Sequence, residues 1–372
     1  MIYLDYSATT PVNSEVLDTF IKATNFIGNP NSLHKLGLDS KKLIDASTKQ
    51  IANILNVKET EVIYTSGASE SNNTAIKGIC LKYQNRGKHI ITTRLEHSSI
   101  TAPIAYLQNI GYDVSFVKLD SDGKVDLDDL KSLLRKDTIL VSIASVNSEI
   151  GIRQDINLIG KIIKENSNAF FHSDITQSIG KEKIDLTNVS LASFSAQKFY
   201  GFKGVGCLIK KENIVIEPLI HGGKSTTVYR SGTPATNLIA STSKALRLVY
   251  EEFDNKYNHV LELNKYLKEK LNLFDVFINS NDFCVPHIVN ISLNNIKSET
   301  MLHALASDDI YVSTQTACST GNYSSSVYAV VRDRERAAKS LRISLSYLTT
   351  KKEIDTFLES FSKNLDRLKL KG

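Results

Sequence analysis

Seven short β-rich runs alternate with longer helical patterns between residues 61 and 210, and no other feature restricts the fold so tightly. The runs fall at 61–65, 89–93, 114–117, 138–144, 169–173, 191–195 and 206–210, with helical segments such as 157–166 between several of them. A strand–helix repeat of this kind predicts an α/β domain with a mostly parallel, seven-stranded sheet flanked by helices. Ligands on such sheets lie beyond the carboxyl ends of the strands. Ser69, His97, Asp174 and Lys198 each stand just past a predicted strand, so they can converge although they are far apart in sequence.

Beyond about residue 250 the pattern changes. A long amphipathic helix is predicted to about 271, then shorter strands such as 288–293. A closing helix opens at Thr350-Lys351-Lys352-Glu353, which has the spacing of a capping box. With 372 residues and 41% apolar content, the chain is long enough for two cores. The expectation is a large domain over 14–250 and a smaller α+β domain made of 1–13 and 251–372. The net charge of +5 is spread without a basic block and gives no argument for direct nucleic-acid binding. Met1-Ile2-Tyr3-Leu4-Asp5-Tyr6-Ser7 lacks the basic and apolar regions of a signal peptide. No apolar run reaches the roughly 20 residues that cross a bilayer. A soluble, cytoplasmic protein without direct membrane binding is expected.

The chemistry begins with a pair. Phe170-Phe171-His172-Ser173-Asp174 carries an acid at the end of one apolar run, and Ser193-Phe194-Ser195-Ala196-Gln197-Lys198 carries a lysine just past another. A pyridoxal phosphate enzyme needs such a pair. The lysine amine holds the cofactor covalently, and the acid keeps the pyridine nitrogen protonated so that the ring can take up electrons. By itself the pair is equally compatible with a surface lysine and a turn aspartate. Thr65-Ser66-Gly67-Ala68-Ser69-Glu70 reads as a strand end, a tight turn and a helix N-terminus, whose N–H groups form a phosphate site. An ordinary N-cap explains the same spacing. Ser195 and Gln197, with Arg230-Ser231-Gly232-Thr233, offer further small donors.

His97 can stack on a planar cofactor and move protons; the alternative is a satisfied turn histidine, which is the reading given to His172. Arg342, within the alternating Ser340-Leu341-Arg342-Ile343-Ser344, is a candidate fork for a substrate carboxylate or a plain salt-bridge partner. The four cysteines are scattered, with no Cys-x-x-Cys pair, which argues against a zinc site or a disulfide framework. Cys80, Cys207 and Cys284 sit in apolar surroundings and read as core residues. Cys318 lies in a Ser/Thr-rich loop over 313–326, expected to be mobile, where packing does not explain a thiol. Such a loop lets a thiolate carry a group from a buried site to the surface; the alternative is an incidental surface thiol.

Taken in order, these segments resemble the cysteine desulfurases, class V members of the fold-type I pyridoxal phosphate enzymes. The resemblance runs through Ile2-Tyr3-Leu4-Asp5-Tyr6-Ser7-Ala8-Thr9-Thr10-Pro11, Gly28-Asn29-Pro30, Ser66-Gly67 and Glu96-His97. It continues through Asn147-Ser148-Glu149-Ile150-Gly151, His172-Ser173-Asp174, Gln177, Lys198, Arg230-Ser231-Gly232-Thr233, Ala317-Cys318-Ser319 and Arg342. It implies conversion of L-cysteine to L-alanine with pyridoxal 5'-phosphate, by a homodimer with shared active sites. Lys198 would hold the cofactor and remove the substrate's Cα proton. Asp174 would hold the pyridinium, Gln177 the ring hydroxyl, and His97 would stack on the ring and assist proton transfer. Ala68, Ser69, Ser195 and Gln197 would cradle the phosphate, with Thr233 reaching in from a second subunit. Arg342 would take the substrate carboxylate. The Cys318 thiolate would attack the substrate sulfur and carry it as a persulfide to an acceptor protein.

Several positions depart from the pattern of that family. Gln197 stands where a histidine is usual, and Ser148 replaces the second of two adjacent asparagines near the cofactor and substrate carboxylate. Phe202 replaces a proline, Lys224-Ser225-Thr226 interrupts a glycine-rich stretch, and Gln315 replaces a small residue. These departures suggest a specialised paralogue that serves a dedicated acceptor, in tRNA thiolation or DNA phosphorothioation, instead of general iron–sulfur assembly. Nucleic acid would then be met only through the acceptor. Rival readings are a selenocysteine lyase or another pyridoxal phosphate β-elimination enzyme, and a cofactor-bound scaffold without activity.

Overall fold

The computed structural model describes residues 1–314 and 323–369. The strands are β1 (Ile2–Tyr3), β2 (Val62–Thr65), β3 (His89–Thr92), β4 (Asp113–Phe116), β5 (Thr138–Ser142), β6 (Phe170–Asp174), β7 (Leu191–Ser195) and β8 (Gly206–Lys210), then β9 (Val276–Ile278), β10 (Ile288–Leu293), β11 (Ile310–Tyr311) and β12 (Ser340–Ser344). Seven of them form one sheet in the order β2-β8-β7-β6-β5-β3-β4. Neighbours from β4 to β7 pair parallel, and β8 alone runs against both of its neighbours. The mostly parallel, seven-stranded α/β sheet expected from the alternation is therefore present. Its interior strands are buried along their length, as in Thr138–Ser142, apart from the half-buried Phe170 at the start of β6, because helices cover both faces. The edge strand β4 has no fully buried residue.

One predicted strand end moved, for a local reason. The run over 138–144 leaves the sheet after Ser142, because the Ala144 N–H is taken by the Glu96 carboxylate and the Ser145 N–H by the Asp174 carbonyl. The helix expected from about 250 to about 271 is present as Phe253–Leu271, and a separate helix, Thr236–Tyr250, precedes it, with Glu251 extended and Glu252 at φ 53° between the two.

A second sheet, β12-β10-β9, is antiparallel throughout. Leu263, Leu267, Phe357 and Phe361 share a core with its Val289 and Ile343, and Leu4 joins them from the other end of the chain. The closing helix Lys351–Lys369 starts with the predicted capping box. Thr350 N–H donates to Glu353 Oε2 at 2.7 Å, and Glu353 N–H donates back to Thr350 Oγ1 at 3.2 Å. β1 pairs parallel with β11, and Ser7 N–H then donates to Ser344 Oγ at 3.0 Å. Residues 5–10 thereby pass from the second core to the carboxyl ends of β6 and β7. The Ser/Thr-rich loop was expected over 313–326, yet Ser324 caps a helix that begins at Ser325. Cys318 and Gln315 lie outside the described residues.

Candidate active site

A cleft of about 1140 Å³, counting its open mouth, lies at the carboxyl ends of the large-sheet strands. Ala68, Ser69, His97, Ser148, Asp174, Gln177, Ser195, Gln197, Lys198 and Arg342 all line it. Convergence follows from topology: β2, β3, β6 and β7 run in one direction, and each delivers its next residues to the same rim. Thr233 is elsewhere, in a groove with Gly28, Asn29 and Pro30.

Lys198 sits in the turn after β7, and its Nζ donates to the Ser7 and Ala8 carbonyls at 2.7 Å each. Burial, reinforced by the Arg342 charge and opposed by Asp174 and Asp5, pulls its pKa down to about 8. Asp174 ends β6. Its Oδ1 accepts the Thr176 N–H at 2.9 Å and its Oδ2 accepts the Asn72 amide at 2.8 Å. The same Asn72 nitrogen donates to Ser99 Oγ at 2.9 Å, and Ser99 Oγ lies 2.8 Å from His97 Nδ1. One amide thus links the acid to the histidine. His97 Nδ1 also accepts the Ser99 N–H at 3.1 Å, which leaves the ring proton on Nε2. Burial, with Lys198 adding to it and Asp174 opposing, holds His97 below its usual pKa, so the imidazole is neutral at pH 7.

The helix Ala68–Lys82 points its N-terminus at the cleft. Gly67, at φ 145°, makes the turn into it, and a Cβ there would come within 3.2 Å of Ser195 Oγ. That hydroxyl accepts the Ala68 N–H at 2.6 Å and ties the end of β7 to the helix. Gln177 donates its amide to the Ser7 carbonyl at 2.9 Å. His172 is satisfied as expected, but in a strand and not a turn: its two nitrogens lie 2.9 and 3.0 Å from Ser142 Oγ and Ser193 Oγ.

Arg342 comes from β12 of the second sheet. Its Nη1 donates to the Ser148 carbonyl at 2.9 Å and its Nη2 to Asp5 Oδ1 at 2.7 Å. Its Nε is buried without a partner, as is Ser7 Oγ. Sequence reasoning missed Asp5, Asn72, Ser99 and the carbonyls of Ser7 and Ala8. Asp5, Ser7 and Ala8 stood inside a quoted motif, so a signal existed for them; Asn72 and Ser99 had none beyond position on a helix whose neighbour is functional.

A model of the class-V aminotransferase family matches residues 2–357. Cysteine desulfurase IscS of Buchnera aphidicola subsp. Acyrthosiphon pisum is 39% identical over 381 residues, covering 99% of this chain and 93% of that protein. The chain belongs to the cysteine desulfurases of the class-V aminotransferase family. Among solved structures, a NifS-like protein superposes with a TM-score of 0.93 at 33% identity, covering 98% of this chain and 99% of that one. SspA in complex with cysteine superposes with a TM-score of 0.83 at 28% identity, over 94% of this chain and 100% of that one.

The desulfurase is an enzyme of pyridoxal phosphate-dependent sulfur transfer, and the donor set of the cleft suits that cofactor. Asp174 is a buried carboxylate of the kind a protonated pyridine ring would pair with, and Lys198 is an amine of lowered pKa of the kind that could form a covalent link. Arg342 Nε and Ser7 Oγ are unpartnered on cleft-lining residues, as expected of groups that await a polar ligand.

Proposed function

We propose that this cleft converts L-cysteine to L-alanine and passes the sulfur to Cys318. The convergence of Lys198, Asp174, His97, Gln177 and Arg342 on one cavity carries the reading. Lys198 would hold pyridoxal phosphate, Asp174 its ring nitrogen, and Gln177 its ring oxygen. Ala68, Ser69, Ser195 and Gln197 would hold the phosphate, with His97 against the ring. When bound, the cofactor supplies an electron sink next to the substrate's Cα.

The remaining steps belong to side chains. The Arg342 guanidinium takes the substrate carboxylate, with Ser148 holding its other edge through the backbone. The Lys198 amine, whose lowered pKa leaves roughly a tenth of it unprotonated at pH 7, far more than an ordinary lysine, removes the Cα proton. The Cys318 thiolate attacks the substrate sulfur; an S–S bond forms as the substrate C–S bond breaks, and the electron pair of that bond stays with the carbon that becomes the alanine methyl group. The enzyme is left as a persulfide for an acceptor protein. Thr233, outside its own cleft, would complete the phosphate site of a second copy, in a homodimer. The division into 14–250 and 1–13 with 251–372, and a cytoplasmic setting, belong to the same reading. Among the described residues no helix is long and apolar enough to cross a membrane.

The departures at Gln197 and Ser148 favour a dedicated acceptor, in tRNA thiolation or DNA phosphorothioation. L-Cysteine added to holoenzyme should give alanine and sulfide in equal amounts when a thiol reductant is present. Cys318→Ala should form no alanine from cysteine. Turnover of selenocysteine alone would overturn the desulfurase reading for this chain.

A further inference from the structure

A buried lysine without an acid stands behind Gln177. Lys181 is 6% exposed, and its Nζ donates to Gln177 Oε1 at 2.6 Å. Gln177 Nε2 donates onward to the Ser7 carbonyl at 2.9 Å, and that carbonyl also accepts from Lys198 Nζ at 2.7 Å. Among the described residues no carboxylate forms an ion pair with Lys181. It lines a narrow cleft of about 420 Å³, counting the space open to solvent, whose other titratable walls are Lys198, Lys256, His287, Tyr6, Tyr200, Tyr257 and Tyr347, with no carboxylate among them. Burial, then the charges of Lys198 and Arg342, pull the Lys181 pKa down to about 7.

Packing does not call for an amine at this place. A methionine of similar length would fill the space without a polar head to desolvate. What the amine does supply is direction. The two ends of a glutamine amide have nearly the same shape, and an amine donor selects the oxygen end. With Oε1 held, the NH2 end must face the Ser7 carbonyl and the cleft, and a bond accepted at Oε1 makes that NH2 a stronger donor.

We propose that Lys181 is a positioning residue of the cofactor site: it clamps Gln177 Oε1 so that the amide offers only its donor end to the bound cofactor. This rests on the reading of Gln177 as a donor to the cofactor's ring oxygen. Loss of the clamp weakens that donation, leaves the ring oxygen more basic and raises the proton affinity of the cofactor–Lys198 linkage.

The test is a pH titration of the visible absorbance of the holoenzyme, with melting temperature measured alongside. Lys181→Met should move the absorbance midpoint upward by about half a pH unit or more and weaken cofactor retention about three- to tenfold, the size of one hydrogen bond. Its melting temperature should stay level or rise, and Lys181→Gln, which keeps a donor, should restore the midpoint. Gln177→Leu should move the midpoint by itself, and the double variant should add nothing to it. A midpoint unmoved in Lys181→Met but moved in Gln177→Leu overturns the proposal, as do additive effects or a melting temperature several degrees lower. A silent Gln177→Leu overturns the reading of Gln177 itself, which is a different result.

Discussion

Asp5 presents a testable conflict with the substrate. The Arg342 side chain is 4% exposed and its Nη2 lies 2.7 Å from Asp5 Oδ1, so the guanidinium that should receive a carboxylate already holds one. An incoming carboxylate on the free Nε edge would sit about 5 Å from Asp5, where two unit charges at an effective dielectric of about 20 repel by about 3 kcal/mol. Water in the open cleft and small shifts of the side chains reduce this to about 1 kcal/mol. Asp5→Asn keeps an acceptor for Nη2 and removes the charge. It should lower the KM for L-cysteine about three- to tenfold in steady-state alanine assays. The same change removes an anion that raises the Lys198 pKa, so the acid limb of the kcat profile should move to lower pH. An unchanged or higher KM in a folded Asp5→Asn protein would refute the competition argument. Asp5 would then be an orienting partner of Arg342.

Two further outcomes concern proton equilibria. Because the Lys198 amine is pulled down to about 8, uptake of pyridoxal phosphate by apoenzyme should accelerate about tenfold per pH unit below that value and level above it; Lys198→Ala should show no covalent uptake, and a profile that levels only above pH 10 would refute the role of burial. Burial pushes the Glu96 carboxyl up to about 8 from an ordinary 4.5, even with Thr93 and Ala144 donating to it. The folded protein therefore keeps a proton that the unfolded chain has lost, so the contribution of this group is full below about pH 4.5 and declines as pH rises to about 8. Glu96→Gln cannot ionise, and its urea midpoint should gain on the wild type over that interval; parallel curves would refute the assignment.

The large sheet was legible because its strands are continuous apolar runs between turn residues, and the runs at 191–195 and 206–210 coincide with β7 and β8. The cleft residues on those strand ends were legible for the same reason: position after a strand fixes the rim. What was not legible is what crosses the chain. Nothing local in Leu4-Asp5-Tyr6-Ser7-Ala8 says that its carbonyls receive Lys198, because that contact is set by β1 pairing with β11 and by Leu4 entering the second core. Asn72 likewise reads as one polar residue of a helix until β6 places Asp174 beside it.

The route of residues 5–8 has a consequence for synthesis. Asp5 waits for Arg342, and Ser7 waits for Ser344, so the floor of the cleft cannot close until residues 342–344 have left the ribosome. Lys198 and Asp174 emerge much earlier, on a sheet whose own partners are all present by Lys210. A nascent chain can therefore hold the sheet without the carbonyls that anchor the lysine. Capture of the cofactor in its final geometry becomes a late event, timed by the last strand and not by the sheet that carries the lysine.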